Sequence, residues 1–253
     1  MRKAISVPLK AVLVSIFAAL VCLWGWGSPG WSQEAGGVGG VQSYGFSTSY
    51  SNTSSHILIG EANQRRIWTL GAEYTHLLHQ AAHCRLDYEG SLMPLFEETD
   101  PTVTGTIFTY AGENYITSQT PVRVVSVSHE QVGIVPTGGG LGVPLYAIYG
   151  QQDTYAAAFS PVGARISALP RWRVQPSFAI DLGFVVSARD IPVDDATQFN
   201  YMFALGPGVQ FFTSPRASVR VEYIYRHVSN AHQGYENPGV DQGVVRLTMS
   251  HSW

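Results

Sequence analysis

The chain reads as an all-β protein, an eight-stranded antiparallel transmembrane β-barrel of the outer membrane. Three observations predict this. Apolar and polar residues alternate in eight segments from residue 42 onward, the period-two signature of strands. Connections between the segments alternate between long and short, as in barrels with short periplasmic turns and longer outer loops. The polar faces carry Arg together with Asp or Glu on several strands, which suits an interior crossed by ion pairs and leaves an aromatic-rich face for lipid.

The N-terminus comes first. Arg2, Lys3 and Lys10 precede the apolar run "AVLVSIFAALVCLWGWG", and small residues follow near a cut after Ser32, the layout of a secretory signal peptide over residues 1–32. An uncleaved anchor helix is the alternative. Cys22 sits in "ALVC", a poor lipoprotein box, and beyond it only Cys84 remains, so neither a disulfide framework nor a Cys-based metal site is expected. A Gly-rich lead covers 33–41, and the barrel covers 42–253.

The eight strands are expected at about 42–51, 65–78, 82–92, 153–167, 171–187, 198–212, 216–229 and 241–253. In "WRVQPSFAIDLGFVV", Val174, Phe178, Ile180, Leu182, Phe184 and Val186 share one face, while Arg173, Gln175, Ser177 and Asp181 share the other. In "RVEYIYRHV", Val221, Tyr223 and Tyr225 oppose Arg220, Glu222 and Arg226. The segment at about 93–152 is read as a long loop insertion with some structure of its own, because bare loops of that length are uncommon in compact domains. Its run "PTGGGLGVP" lacks the Lys-Ser/Thr of a phosphate loop. The chain ends in an aromatic-tipped strand at Trp253, similar to the assembly signal of outer-membrane barrels.

Composition narrows the function classes. Charged residues make up 13% of the 253, against roughly 25% in soluble domains, and the net charge of −3 gives no case for nucleic acid. An eight-stranded barrel is filled by its own side chains, which argues against a diffusive pore. His227, His232 and His251 show no ligand spacing, and "DIPVDD" at 190–195 is a weak calcium candidate, so no metal or cofactor is expected.

The chemistry concentrates in "RHVSNAHQGYENPGVDQG", residues 226–243. Parity continues the lipid-facing set Val219, Val221, Tyr223, Tyr225 into His227 and Ser229, and on the last strand runs from Leu247 through Val245 and Gly243 to Asp241. His227 and Ser229, two residues apart, project on one side about 7 Å apart along the strand. A carboxylate, an imidazole and a hydroxyl toward lipid are disfavoured unless paired or near headgroups. They fit a relay in which the imidazole takes the hydroxyl proton and the carboxylate orients the imidazole. They also fit a polar rim with no chemistry. Glu236 is a competing acid, though its parity is wrong.

The segment "HVSNAHQGYENPGVD" resembles the active-site segment of the outer-membrane lipid A deacylases of the PagL type. That family carries His-x-Ser-Asn, an Asn ten residues after the His and an acid fourteen after, matched here by His227, Ser229, Asn230, Asn237 and Asp241. The resemblance implies a serine esterase acting on lipid A of lipopolysaccharide in the outer leaflet. Ser229 would be the nucleophile, His227 the base and Asp241 its orienting acid. Asn237 would serve the oxyanion hole, where one donor contributes about 3–4 kcal/mol, and Asn230 would support the site by hydrogen bonds. The acid is Asp241 where Glu is the family's more familiar choice, and the 93–152 insertion is longer than the family's pattern. A non-enzymatic barrel with structural or adhesive loops is the rival reading.

Overall fold

A computed structural model describes residues 38–137 and 142–253; the expected signal peptide, residues 1–32, and most of the Gly-rich lead lie outside the described residues. The described residues form one antiparallel sheet of ten strands: β1 (Gln42–Ser51), β2 (Arg66–Gln80), β3 (Cys84–Tyr110), β4 (Glu113–Arg123), β5 (Gln131–Pro136), β6 (Gly142–Ala168), β7 (Val174–Ile191), β8 (Thr197–Phe212), β9 (Ala217–Ser229) and β10 (Val240–Ser252). Eight of them close a ring in the order β3-β2-β1-β10-β9-β8-β7-β6, shut by pairing of β3 with β6. Closure removes every sheet edge from the wall, which a lipid surroundings requires because it offers no partner to a free N–H or C=O.

The strands form where Val, Ile, Tyr, Phe and Thr alternate with polar residues. On β9 the alternation is strict: Ser218, Arg220, Glu222, Ile224, Arg226 and Val228 are buried, while Val221 and Tyr223 are exposed on the outer wall. The short turns between β2 and β3, β6 and β7, and β8 and β9 cluster with the chain end at Ser252 and Trp253, and Trp253 N donates to Gln42 O at 3.0 Å. The longer connections, 52–65, 192–196 and 230–239, gather at the opposite, outer end.

The segment expected as a loop insertion at about 93–152 is largely strand. β3 and β6 continue past the ring as one ladder, still paired at Ile107 and Tyr146, and β4 and β5 add to its two sides. A four-stranded ribbon, β4-β3-β6-β5, therefore stands beyond the barrel. Thr, Tyr and Ile recur on both sides of this ribbon, so it shows no single apolar face.

The interior has three layers. At mid-height Arg165, Arg220 and Arg246 interleave with Glu73, Glu89, Asp181 and Glu222. Arg246 Nε lies 2.6 Å from Glu222 Oε2 and its Nη1 3.2 Å from Asp181 Oδ2, while Arg220 pairs with Glu73 and with Glu222 at 3.0 Å. Buried charges in such numbers persist only when each meets opposite charge. Toward the outer end the ion network gives way to an apolar plug of Ile67, Met93, Phe96, Ala158, Val185, Ile191, Met202 and Val228. The Arg226 guanidinium stands 6.0 Å over the Phe96 ring between the two layers, within cation–π range.

The third layer closes the outer mouth. The Arg65 guanidinium, fully buried, lies 3.1 Å from Asp100 Oδ1 and donates to the carbonyls of Asn63, Val124, Val125 and Pro192. Arg123 reaches Asp194 at 2.7 Å from the next loop. The link between β4 and β5 is thereby drawn across the mouth, and the first and third outer loops are fixed to it.

Candidate active site

Strands β9 and β10 pair with His227 directly opposite Asp241. Both side chains take the outward parity, so the imidazole and the carboxylate meet on the outer wall, and Nδ1 lies 2.7 Å from Asp241 Oδ1. A carboxylate only accepts, so Nδ1 is assigned as the donor, and Nε2 is the ring nitrogen with no partner among the described residues. The register that brings the two together is the same one that packs Val228, Ile224 and Val244 inward; slipping it by one residue would turn all of them over.

Asp241 is fully buried although it faces outward. The cover is the β1–β2 loop, residues 52–65. Leu58 N and Ile59 N donate to Asp241 Oδ2 at 2.7 and 2.9 Å, and the Tyr225 hydroxyl donates to Oδ1 at 2.8 Å. With the His227 Nδ1 donor, the carboxylate accepts four hydrogen bonds, two on each oxygen. Such an arrangement suits the charged form and fixes its plane. The loop is pinned at both stems by the last hairpin: Ser55 N donates to Asp241 O, Glu61 N to Pro238 O and Ala62 N to Gly239 O.

Two glycines permit the approach. A Cβ on Gly60 would stand 2.5 Å from Asp241 N and 2.8 Å from Oδ1. Gly239 has φ +58°, and a Cβ there would stand 2.9 Å from His227 Cε1.

Ser229 ends β9 two residues beyond His227, on the same outward parity, paired with Tyr201 of β8. Among the described residues its hydroxyl has no hydrogen-bond partner, so the serine and imidazole share a face with no hydrogen bond between them. Catalytic hydrogen bonds are often long in a substrate-free site and tighten on binding. Immediately after Ser229 the chain turns sharply: Ala231 and His232 take φ of 51° and 62°, a region that costs most residues energy. The buried Asn230 holds this turn. Its Oδ1 accepts from His232 N at 3.0 Å and its Nδ2 donates to Glu236 O at 2.8 Å.

Asn237 is placed by the same turn. Its Oδ1 accepts from Asn230 N at 3.1 Å, which assigns the opposite end of the amide as Nδ2, a donor with no partner among the described residues. The side chain of Glu236 is exposed in the turn.

Sequence parity places His227, Ser229, Tyr225 and Asp241 on one face. It gives no sign of the Leu58 and Ile59 amides, because they are backbone donors from a loop more than 180 residues away, and the only local trace is Gly60.

A family model for lipid A 3-O-deacylase (PagL) matches residues 122–250. The chain belongs to this family. It is accordingly an outer-membrane lipid A deacylase, an ester hydrolase acting on lipid A of lipopolysaccharide. Among solved structures, it is similar to the outer membrane enzyme PagL, at 12% identity and a TM-score of 0.47, covering 83% of this chain and 99% of that one. It is also similar to Neisserial surface protein A, at 8% identity and a TM-score of 0.44, covering 83% and 97%. The outer membrane protein OprG from Pseudomonas aeruginosa follows at 11% identity and a TM-score of 0.37, covering 86% and 99%. Comparison with curated proteins found no match.

Proposed function

We propose that the deacylase works through a Ser229–His227–Asp241 relay and cleaves the 3-O-linked acyl chain of lipid A from the bilayer side. The single observation that carries this reading is the 2.7 Å contact between His227 Nδ1 and a buried carboxylate that accepts three further hydrogen bonds. A carboxylate so fully engaged on the lipid-facing side of a barrel has no role in the charged interior. It orients one imidazole.

In the first step Ser229 Oγ attacks the acyl carbonyl carbon and its proton passes to His227 Nε2. Asp241 stabilises the imidazolium without taking its proton. The carbonyl oxygen, now negative, faces the free Nδ2 of Asn237, a donor aimed by its opposite oxygen. Collapse expels the sugar oxygen, which receives the proton from Nε2, and leaves an acyl-Ser229. Water, giving its proton to the same imidazole, then attacks the acyl carbon; the bond to Ser229 Oγ breaks, Oγ takes the proton back from Nε2, and a free fatty acid leaves. No step calls for a metal or an organic cofactor.

Reaction with a fluorophosphonate ester tests the nucleophile. Peptide mapping is expected to find the adduct on Ser229, with labelling much slower in His227→Ala. An adduct on any other serine would contradict the assignment.

A further inference from the structure

The loop that covers Asp241 carries its own unexplained feature. Ile57, Leu58 and Ile59 form its tip, and their side chains are 45%, 63% and 65% exposed. Three consecutive aliphatic residues left open to water would be a liability at a polar outer rim, where charged or small residues normally stand. The backbone of two of the three donates to Asp241 Oδ2, so the tip covers that outward-facing carboxylate from outside the barrel.

The wall beneath the tip is apolar and continuous with it. Tyr50 of β1 and Val245 of β10 are register partners, and both are exposed on the lipid side, with Phe46 further down the same strand. The reacting serine lies elsewhere, across β9 toward β8, where it pairs with Tyr201. Ser54 bridges to Gln242 and Ser55 N donates to Asp241 O, which holds the tip on the β10–β1 side. The tip therefore adjoins the lipid-facing wall on the β10–β1 side.

We infer that Ile57–Leu58–Ile59 is a membrane-contact element whose side chains rest in the hydrocarbon of the outer leaflet and so hold the loop amides against Asp241. This rests on the relay proposed above for its consequence in catalysis, though the lipid contact stands without it. Three partly buried aliphatic side chains supply enough transfer free energy to keep a short loop in place. Leu58 and Ile59 act as positioning residues, through Asp241. Hydrolysis is then coupled to the bilayer: where the tip has no hydrocarbon to rest in, the clamp on the carboxylate loosens.

The test uses the full chain with Cys22 and Cys84 replaced by Ser, reconstituted in phosphatidylethanolamine–phosphatidylglycerol vesicles without lipid A. An environment-sensitive fluorophore on Leu58→Cys is expected to shift to the blue on reconstitution, while the same fluorophore on Tyr235→Cys, in the exposed β9–β10 loop, is expected to report water. In parallel, the triple variant Ile57→Ser, Leu58→Ser, Ile59→Ser keeps every backbone donor. It is expected to lose about tenfold or more in deacylation of vesicle-embedded lipid A. The loss should be similar on the same glycolipid in detergent micelles, because a serine tip finds no apolar seat there either and the loosened clamp acts on Asp241, not on lipid approach. Ile57→Val, Leu58→Met, Ile59→Val is expected to restore the vesicle rate. A Leu58 fluorophore that reports water in substrate-free vesicles overturns the inference. So does a triple serine variant that keeps the vesicle rate, or an Ile57→Val, Leu58→Met, Ile59→Val variant that stays as slow as the serine one. If Ser229→Ala retained activity while the blue shift persisted, the relay would fall and the membrane contact would stand.

Discussion

His227 and Asp241 sit directly opposite each other on the last hairpin, and Nδ1 meets Oδ1 at 2.7 Å on the wall that faces lipid. The pair is set by strand register, with the carboxylate held from behind by amides of the first outer loop. Replacing Asp241 by Asn keeps the shape but offers an amide where the imidazole needs an acceptor, and it invites the wrong tautomer. The expected loss is about 10³-fold to 10⁴-fold in kcat, with lipid affinity little changed. Kinetics on purified, folded barrel check this; a loss below about tenfold would contradict an orienting role.

Tyr225 donates to the same oxygen that His227 uses. Tyr225→Phe removes one of four donors and leaves the other three in place. The expected effect is a fall of about three- to tenfold in kcat, from one hydrogen bond to a charged group partly compensated by its neighbours, with KM unchanged. A change confined to KM would instead make Tyr225 a contact for the acyl chain.

Gly60 and Gly239 are close-approach positions. Gly60→Ala forces the loop away from Asp241, and Gly239→Ala meets both a left-handed backbone and the His227 ring. Each is expected to lower kcat by about 10- to 100-fold, the scale of displacing a catalytic group by about an ångström. The barrel should still show heat-modifiable migration on a gel, because neither glycine belongs to the ring of strands.

The mid-barrel ion network is the stability counterpart of the site. Arg246→Met leaves Glu222 and Asp181 without their nearest cation, and removal of one partner of a buried pair costs about 3–5 kcal/mol. Urea unfolding in vesicles is expected to show that loss. The folded fraction should keep its deacylase rate, since Arg246 faces the lumen and His227 and Asp241 face outward.

Sequence patterning carried much of this. The alternation on β9, with Arg220, Glu222 and Arg226 on one side and Tyr223, Tyr225, His227 and Ser229 on the other, is a local signal, and the burial along that strand follows it residue by residue. β1 was legible to its end residues, Gln42 and Ser51, because polar loop residues bound it on one side and glycines on the other. The ribbon from β3 to β6 was not legible as strand. Around Phe108 and Tyr115, which stack at 5.0 Å, and Ile107 and Ile116 on the other face, both sides mix apolar and polar residues, so no period stands out. The apolar plug was also hidden, since Met93 and Phe96 fall on either side of a bulge that shifts parity. The clamp on Asp241 depends on main-chain amides of Leu58 and Ile59, and amides leave no mark in a sequence. That Asp241 shares the outward parity of His227 was readable in the strand pattern.

The most direct measurement is mass spectrometry of lipid A from cells expressing either the wild-type chain or Ser229→Ala, with both barrels shown to be folded in the outer membrane. Lipid A lacking the 3-O-linked acyl chain is expected with the wild type, and intact lipid A with the variant. Deacylation by Ser229→Ala, or an intact 3-O-chain with the wild type, would contradict the proposed function.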